Sequence, residues 1–203
     1  PYGVTEFTLR TISRYIASNV ICSIAALSVE GIKIDKLAEC ASEISFPAGR
    51  FESISAGKDI CYVDYAHTPE ALKHALKEIR EFYEGEVWCV FGCGGDRDKA
   101  KRPMMGKIAN QYCDRIYLTD DNPRYENPKK IRNSIRKNIN KNKIYEIANR
   151  ANAINKAIND LKTGDILIVA GKGHEKIQEY KKIKKPFSDQ QQILKDIIIK
   201  NKT

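Results

Sequence analysis

The sequence contains no apolar run near the about 20 residues that a membrane-spanning helix needs, and its first four residues carry no signal-peptide pattern. No G-K-[ST] triplet occurs, so a phosphate loop of the Walker type is absent from these 203 residues. The three histidines and six cysteines have the spacing of neither a complete metal site nor a disulfide scaffold. We therefore expect a protein of a reducing compartment, the cytoplasm, with no metal site of its own and no membrane partner.

Acidic residues are scarce in the last third of the chain. Residues 129–203 hold 19 basic and 7 acidic side chains, whereas residues 1–128 hold 16 and 19. This asymmetry allows a nucleic-acid-binding domain as a weaker interpretation. However, the lysines are interleaved with Asn and Ile on what we predict to be amphipathic helices, and few aromatic residues stand between them to stack on bases. We therefore prefer a solvated lysine-rich face and predict no nucleic-acid partner.

Two helices are predicted before a break in the pattern. Residues 13–29 are apolar at helical spacing and stop at Gly31, and a second helix is predicted from an N-cap at Asp35 to about residue 43. Residues 46–50 then combine proline and glycine, which indicates a linker or hinge. We therefore predict a domain boundary near residue 45.

Beyond the break, short apolar runs alternate with amphipathic segments. Strands are predicted at residues 60–63, 87–91, 116–119, 144–147 and 166–170. Helices are predicted from the N-cap Thr68 to Gly85, over 103–112, 128–139 and 151–161, and from a capping box at Ser188 and Gln191 onward. Five strand-then-helix units predict an α/β fold class with a Rossmann-like, doubly wound, mostly parallel sheet.

Glycines and ionisable residues collect where four of these strands end. Because the carboxyl ends of parallel strands share one edge of a sheet, and ligands bind at that edge, we expect the site there. The segments are Asp64-Tyr65-Ala66-His67, Gly92-Cys93-Gly94-Gly95-Asp96-Arg97-Asp98, Asp120-Asp121-Asn122-Pro123-Arg124 and Gly171-Lys172-Gly173-His174-Glu175.

Each segment also has a purely structural interpretation. The glycines at 92–95 fit neither G-x-G-x-x-G nor a Walker loop and equally suit a tight turn, and residues 121–124 taken alone favour a β-turn. His67 could cap a helix or contact a ligand. His174-Glu175 begins like the zinc motif H-E-x-x-H, but Gln178 stands in place of the second histidine, so we predict no metal.

The combination of charges at one edge favours a ligand over four separate turns. An arginine fork binds a carboxylate, and Asp or Glu accepts hydrogen bonds from an ammonium group. Two arginines with several carboxylates therefore suit a zwitterionic ligand such as an amino acid. A free-standing α/β module that binds a small zwitterionic or anionic metabolite remains the alternative to an enzyme.

Together with Gly49-Arg50-Phe51-Glu52, these segments resemble, in order and spacing, the Mur ligases, and in particular the members that add the third residue of the peptidoglycan stem peptide. The resemblance implies a cytoplasmic, monomeric, three-domain ligase that forms an amide with ATP and Mg²⁺. It implies that residues 1–45 end the central ATP-binding domain and that residues 46–203 form the C-terminal domain. The implied ligands are meso-diaminopimelate, ATP and UDP-MurNAc-L-Ala-D-Glu.

The resemblance also assigns residues to ligands. Those implied to contact diaminopimelate are Arg97, Asp121, Asn122, Pro123, Arg124, Gly171 and Glu175. Those implied to approach the nucleotide are Asn19, Arg50, Asp64, Tyr65 and His67. The family's phosphate loop, carbamylated lysine and magnesium ligands should precede Pro1, so we expect ATP and Mg²⁺ to be bound mainly there. We therefore predict no catalytic residue in this sequence and no activity from it alone.

Overall fold

The computed structural model describes residues 4–56 and 58–202; residues 1–3, inspected above for a signal-peptide pattern, lie outside them. The chain divides between Pro47 and Ala48 into two compact units. The smaller unit contains helices α1 (Arg14–Val29) and α2 (Ile34–Ser42), which bury a small apolar cluster between them. No helix of the described residues is long and apolar enough to cross a membrane.

The starts of the two helices follow different rules. Ser13, with which the predicted helical pattern begins, caps α1, because its side chain accepts a hydrogen bond from the backbone N–H of Ile16. The predicted cap of α2 at Asp35 is wrong, since Lys33 occupies the N-cap position and makes no side-chain cap bond. Asp35 lies instead in the first turn, where its negative charge still stabilises the helix through the macrodipole.

The larger unit contains a six-stranded sheet with helices packed on it. Its elements are β1 (Glu52–Ala56), β2 (Asp59–Asp64), α3 (Pro69–Phe82), β3 (Val87–Phe91), α4 (Lys101–Tyr112), β4 (Arg115–Leu118), α5 (Pro128–Arg136), β5 (Ile144–Glu146), α6 (Arg150–Asp160), β6 (Ile166–Ala170), β7 (Ile177–Tyr180), β8 (Ile183–Pro186) and α7 (Asp189–Lys200). The strand order is β1-β2-β6-β3-β4-β5, with β1 antiparallel to β2 and the other neighbours parallel. The predicted α/β class with a mostly parallel sheet is confirmed.

The two central strands, β3 and β6, explain why strands could be recognised in the sequence. Every residue of β3 and β6 is buried, as expected of strands covered by helices on both faces. Trp88 and Leu167 pack in one core cluster with Ile154 of α6 and Ile193 of α7. The register then places the carboxyl ends of β2, β6, β3 and β4 along one edge.

Three strands were not predicted. β1 is a five-residue antiparallel edge strand, and β7 and β8 form a separate hairpin between β6 and α7. Four lysines of the basic last third lie on this hairpin or its turn rather than on an amphipathic helix: Lys181, Lys182, Lys184 and Lys185. An edge or exposed strand carries no continuous apolar run, so the sequence pattern gave no sign of these three strands. Lysines on an exposed edge keep it from pairing with other chains, which explains the charged residues of the hairpin.

The position of the unit boundary gives a first testable prediction. Residues 42–45, 47 and 48 are exposed, whereas Gly49 is buried. We therefore expect limited proteolysis by subtilisin to cut within residues 43–48 and to leave a resistant product that extends to the carboxyl end, identified by mass spectrometry. First cleavage inside the larger unit, with the 43–48 segment intact, would contradict the boundary.

Candidate functional site

The four polar strand ends meet at one edge of the sheet, as predicted. The backbone N–H of Gly171, after β6, donates to the carbonyl of Asp64 at 3.0 Å, and that of Thr119, after β4, donates to the carbonyl of Phe91 at 3.0 Å. The next residue after β3 must be glycine, because a Cβ at Gly92 would lie 2.3 Å from the carbonyl oxygen of Thr119. Close approach of backbones thus explains this glycine without a phosphate ligand.

A buried lysine connects two of these segments. Lys172 Nζ donates to Asn122 Oδ1 at 3.0 Å and to Glu175 Oε2 at 2.7 Å, and its side chain has no exposed surface. Asn122 Nδ2 in turn donates to Glu175 Oε2 at 2.9 Å, and Asn122 Oδ1 also accepts from the backbone N–H of Glu179 at 2.9 Å. We call these three side chains, Lys172, Asn122 and Glu175, the lysine triad. Sequence reasoning named Asn122 and Glu175 but not Lys172, whose only signal was its place between two glycines at a strand end.

Glu175 is held in its charged form within the triad. Burial works to raise its pKa, but the hydrogen bond and charge of Lys172, the amide of Asn122 and the charge of Arg124 lower the pKa below its ordinary value. One carboxylate oxygen, Oε2, accepts both triad hydrogen bonds. The other, Oε1, makes no hydrogen bond to the described residues and is available to a cationic ligand group.

Arg124 is not a solvent-facing turn residue. Its backbone pairs with the hairpin, since its N–H donates to the carbonyl of Glu179 at 3.1 Å, and it forms an isolated bridge with Tyr180. Its guanidinium donates through Nη1 to the carbonyl of Gly95 at 2.8 Å and lies 3.3 Å, through Nε, from Glu179 Oε2. The side chain is 22% exposed, and its φ of 50° is a left-handed conformation that tertiary contacts must stabilise.

The glycine-rich loop after β3 lies against the segment after β4. The N–H of Gly95 donates to the carbonyl of Asn122 at 2.9 Å, and the N–H of Asp96 donates to Glu126 Oε1 at 2.6 Å. In return, Asp96 Oδ2 accepts from the N–H of Tyr125 at 3.1 Å. The two loops therefore form one hydrogen-bonded unit.

Arg97 and Arg124 approach each other across this loop. A Cβ placed on Gly94 would lie 2.9 Å from Arg124 Nη1 and 3.8 Å from Arg97 Cγ. A Cβ on Gly95 would lie 1.9 Å from the carbonyl oxygen of Pro123, so only glycine allows the loop to pack here. Arg97 is exposed. Arg124 thus places positive charge near Glu175 of the lysine triad, whereas Arg97 is an exposed residue of the glycine-rich loop.

An ion pair behind the loop stabilises it. Arg102 donates to both oxygens of Glu126, at 3.0 and 2.8 Å, and to the carbonyl of Gly94 at 3.3 Å. The hydrogen bonds from Arg102 lower the pKa of Glu126 to about 2. Glu126 therefore remains an acceptor for the loop N–H of Asp96 at any pH above that value.

Asp121 and Gly171 occupy the centre of the edge. Asp121 Oδ1 accepts from the N–H of Asn122 at 2.6 Å, and a Cβ on Gly171 would lie 2.9 Å from Asp121 Oδ2. Gln178, considered above only as a failed metal ligand, donates to the carbonyls of Asp120 and Asp121 at 3.1 and 2.7 Å. Its amide fixes this segment to the hairpin, a role that needs tertiary structure to be recognised.

The residues predicted to approach a nucleotide gather around Tyr65. The guanidinium carbon of Arg50 lies 4.7 Å from the Tyr65 ring centroid, and the His67 ring centroid lies 4.6 Å from it. His174, not predicted for this group, places its ring centroid 5.3 Å away. His67 Nδ1 bonds to the carbonyl of Tyr65 at 2.8 Å, and Thr68, not His67, caps α3. Arg50 and His67 are exposed.

Two other predicted nucleotide residues have different settings. Asp64 accepts from the N–H groups of Phe51 and Ala66 at 2.7 and 2.8 Å, and burial raises its pKa above the ordinary value despite those bonds. It therefore braces the backbone beside Arg50. Asn19 is an exposed residue of α1 in the smaller unit, so it is not part of this group within the larger unit.

The described residues do not assemble a metal site. No group of three or more His, Cys, Asp or Glu side chains in residues 4–56 and 58–202 is placed to hold a metal ion. The arrangement at the edge, with carboxylates, an amide and two arginines, is suited to binding a small molecule that carries charges of both signs.

Comparison with known proteins agrees with this geometry. The model of the family described as "Mur ligase, glutamate ligase domain" matches residues 49–173. The chain is 39% identical over 192 residues to the UDP-N-acetylmuramoyl-L-alanyl-D-glutamate–2,6-diaminopimelate ligase of Chromobacterium violaceum, covering 93% of this chain and 39% of that protein. It is 44% identical to the ligase of the same name from Rickettsia typhi, covering 91% of this chain and 37% of that protein.

A solved structure extends the similarity to the fold. A UDP-N-acetylmuramoyl-L-alanyl-D-glutamate–2,6-diaminopimelate ligase superposes with a TM-score of 0.76 at 32% identity, covering 99% of this chain and 42% of that one. The chain thus spans about two fifths of the length of the relatives it matches. Because the family model covers more than half of the chain, from Gly49 to Gly173, the chain belongs to the Mur ligase family.

Proposed function

We propose that this chain is the amino-acid-binding part of an ATP-dependent ligase that adds meso-diaminopimelate to UDP-MurNAc-L-Ala-D-Glu in peptidoglycan synthesis. The relatives of that name support the reaction, and the chain's own site supports the ligand. The observation that carries the proposal is a Glu175 carboxylate oxygen that makes no hydrogen bond to the described residues, together with the charge of Arg124, which acts on the same carboxylate. We further propose that residues 1–45 belong to the central ATP-binding domain, and that the protein is a cytoplasmic monomer without nucleic-acid or membrane partners.

The site offers a complement to each end of diaminopimelate. An ammonium group would bind Glu175 Oε1, with the amide of Asn122 and the carboxylate of Asp121 nearby. A carboxylate would bind Arg124, whose Nη2 makes no hydrogen bond to the described residues, with Arg97 beside it. Gly171 would leave room at the centre, and Pro123 would hold the glycine-rich loop in place.

The task of this chain in the reaction would be to position the amine. ATP transfers a phosphoryl group to the glutamyl carboxylate, which gives an acyl phosphate and ADP. The neutral amine then attacks the carbonyl carbon: the C–N bond forms, the C–O bond to phosphate breaks, and the nitrogen releases a proton as the amide forms. Holding the amine next to that carbon can lower the activation barrier by up to about 7–11 kcal/mol. Arg50, Asp64, Tyr65 and His67 would face the nucleotide, while ATP and Mg²⁺ would be held mainly outside this chain.

The second testable prediction follows because this chain would position the amine while ATP and Mg²⁺ would be held mainly outside it. We expect the 203-residue chain with ATP, Mg²⁺, UDP-MurNAc-L-Ala-D-Glu and meso-diaminopimelate to release no ADP above background, because no G-K-[ST] segment is present to hold the β- and γ-phosphates. A coupled ADP-release assay measures this. Turnover that scales with chain concentration would overturn the proposal that the chain is inactive alone.

Binding experiments separate this proposal from the other interpretations. We expect NMR titrations of the chain to show saturable binding of meso-diaminopimelate, with shifts at Asn122 and Glu175, and none for a duplex oligonucleotide at 150 mM salt. Saturation by an unrelated anionic metabolite instead would favour a free-standing binding module. Saturation by the oligonucleotide would favour the lysine-rich face as a nucleic-acid site.

A further inference from the structure

Lys172 is buried in an unusual way for a lysine. Its side chain has no exposed surface, and its ammonium group donates to two side chains, to Asn122 Oδ1 at 3.0 Å and to Glu175 Oε2 at 2.7 Å. Removing an ammonium group from water is costly unless charge and hydrogen bonds replace the lost solvation. A methionine or leucine would fill the same volume without that cost, so the charge is expected to have a purpose besides packing.

The geometry shows what the ammonium group does to its partners. Because Lys172 and the N–H of Glu179 both donate to Asn122 Oδ1, the amide of Asn122 must present its Nδ2 to Glu175. Both donors of the triad then converge on Glu175 Oε2. The Lys172 ammonium and the Glu179 N–H together set the orientation of the amide, and the ammonium and this amide together select Glu175 Oε2. Glu175 Oε1 is left without a hydrogen bond from the described residues.

We propose that Lys172 is a positioning residue of the amino-acid pocket: it holds Asn122 and Glu175 so that Glu175 Oε1 is presented to an ammonium group of the incoming diamino acid. This inference rests on the proposed function and adds a residue to it. Lys172 itself does not touch the ligand; it acts through Glu175. Without it, the Glu175 carboxylate would lose one of its two hydrogen bonds and a stabilising charge, and only the Asn122 amide would still orient it.

The groups around Glu175 set how its charge depends on pH. Lys172 faces it from its own turn and Arg124 from the segment after β4. Glu179 of β7 pairs with Arg124, and Asp121 and His174 are the sequence neighbours of Asn122 and Glu175. Replacing Lys172 by methionine would leave burial to raise the pKa of Glu175, so ligand affinity would fall as the pH is lowered through that raised pKa. His174 is the same in both proteins, so the difference between the two pH profiles reports on Lys172.

A double-mutant cycle tests the proposal in the 203-residue chain, with meso-diaminopimelate as the titrant and NMR shifts as the readout. We expect Lys172→Met to weaken binding by about tenfold and Glu175→Gln to weaken it similarly. In the Glu175→Gln background, Lys172→Met should change affinity by less than about twofold, because its target carboxylate is gone. Lys143→Met is the matched control, since Lys143 Nζ donates to the carbonyls of Asn110 and Cys113 at 3.2 and 2.9 Å, away from the site edge.

The outcomes distinguish failure of the proposed function from failure of the positioning role of Lys172. If the unaltered chain does not bind meso-diaminopimelate, the proposed function fails and the role of Lys172 fails with it. If the unaltered chain binds and Lys172→Met binds equally well, or if the two substitutions are additive, only the positioning role is overturned. Should Lys172→Met unfold, the unaltered chain decides: saturation with meso-diaminopimelate should shift the Glu175 13Cδ and Lys172 15Nζ resonances, and no shift of either would overturn the proposal.

Discussion

Asp189→Asn is expected to lower the free energy of unfolding by about 3–5 kcal/mol, because it leaves a buried arginine without its counter-charge. Arg150 Nε and Nη2 each donate to one oxygen of Asp189 at 2.8 Å, and neither side chain has any exposed surface. Arg150 Nη2 also donates to the carbonyl of Ala170 at 2.9 Å, while Nη1 is buried without a partner in the described residues. The pair therefore ties α6 and α7 to the end of β6.

Urea unfolding followed by the fluorescence of Trp88, the single tryptophan, measures this change in the larger unit. By the usual size scaling the midpoint of thermal unfolding should fall by about 6–20 °C. Lys156→Gln on the same helix is the matched control: it breaks an exposed i,i+4 pair with Asp160 and should cost at most about 0.5 kcal/mol.

A double substitution tests the cause. Arg150→Met combined with Asp189→Leu removes both buried charges and should recover stability to within about 2 kcal/mol of the original chain. If the double variant is as unstable as Asp189→Asn, loss of packing rather than an unpaired charge is responsible. If Asp189→Asn costs less than the exposed control, the pair contributes nothing.

The preference for meso-diaminopimelate over L-lysine is expected to depend on Arg124. The two ligands differ at one end, where diaminopimelate carries a carboxylate that lysine lacks. Lysine would leave Arg124 Nη2, which makes no hydrogen bond to the described residues, partly desolvated and without a partner. This predicts about tenfold to over a hundredfold weaker binding. Arg124→Ala should remove most of this discrimination by weakening diaminopimelate binding while leaving lysine binding little changed.

Parallel NMR titrations of the chain with both amino acids measure the ratio of dissociation constants. Arg136→Ala is the matched control, because Arg136 pairs with Glu146 on the exposed side of α5 and should leave the ratio unchanged. Equal affinity for the two amino acids in the unaltered chain would contradict the assignment of meso-diaminopimelate. An unchanged ratio in Arg124→Ala would place the selecting group elsewhere, with Arg97 the next candidate.

Some of the fold was predictable because a strand that is buried on both faces needs consecutive apolar residues, a pattern visible in the local sequence. The runs that became β3 and β6 are continuously apolar, and the caps Thr68 and Ser188 are local signals that the backbone uses as expected. β1 and the β7–β8 hairpin left no such trace, since edge strands need not be apolar. Helix ends also shifted: α3 ends at Phe82 rather than near Gly85, and α5 at Arg136 rather than near residue 139.

The sequence by itself determined which segments meet, because parallel strands of known order bring their carboxyl ends to one edge and the polar residues of this chain stand at those ends. Only the tertiary structure decided what each residue does there. Lys172, a charged residue between two glycines, is completely buried because Asn122 and Glu175 replace its water, and these partners lie 50 and 3 residues away in the chain. Such compensation depends on distances between atoms of separate segments, and no local pattern of residues encodes it.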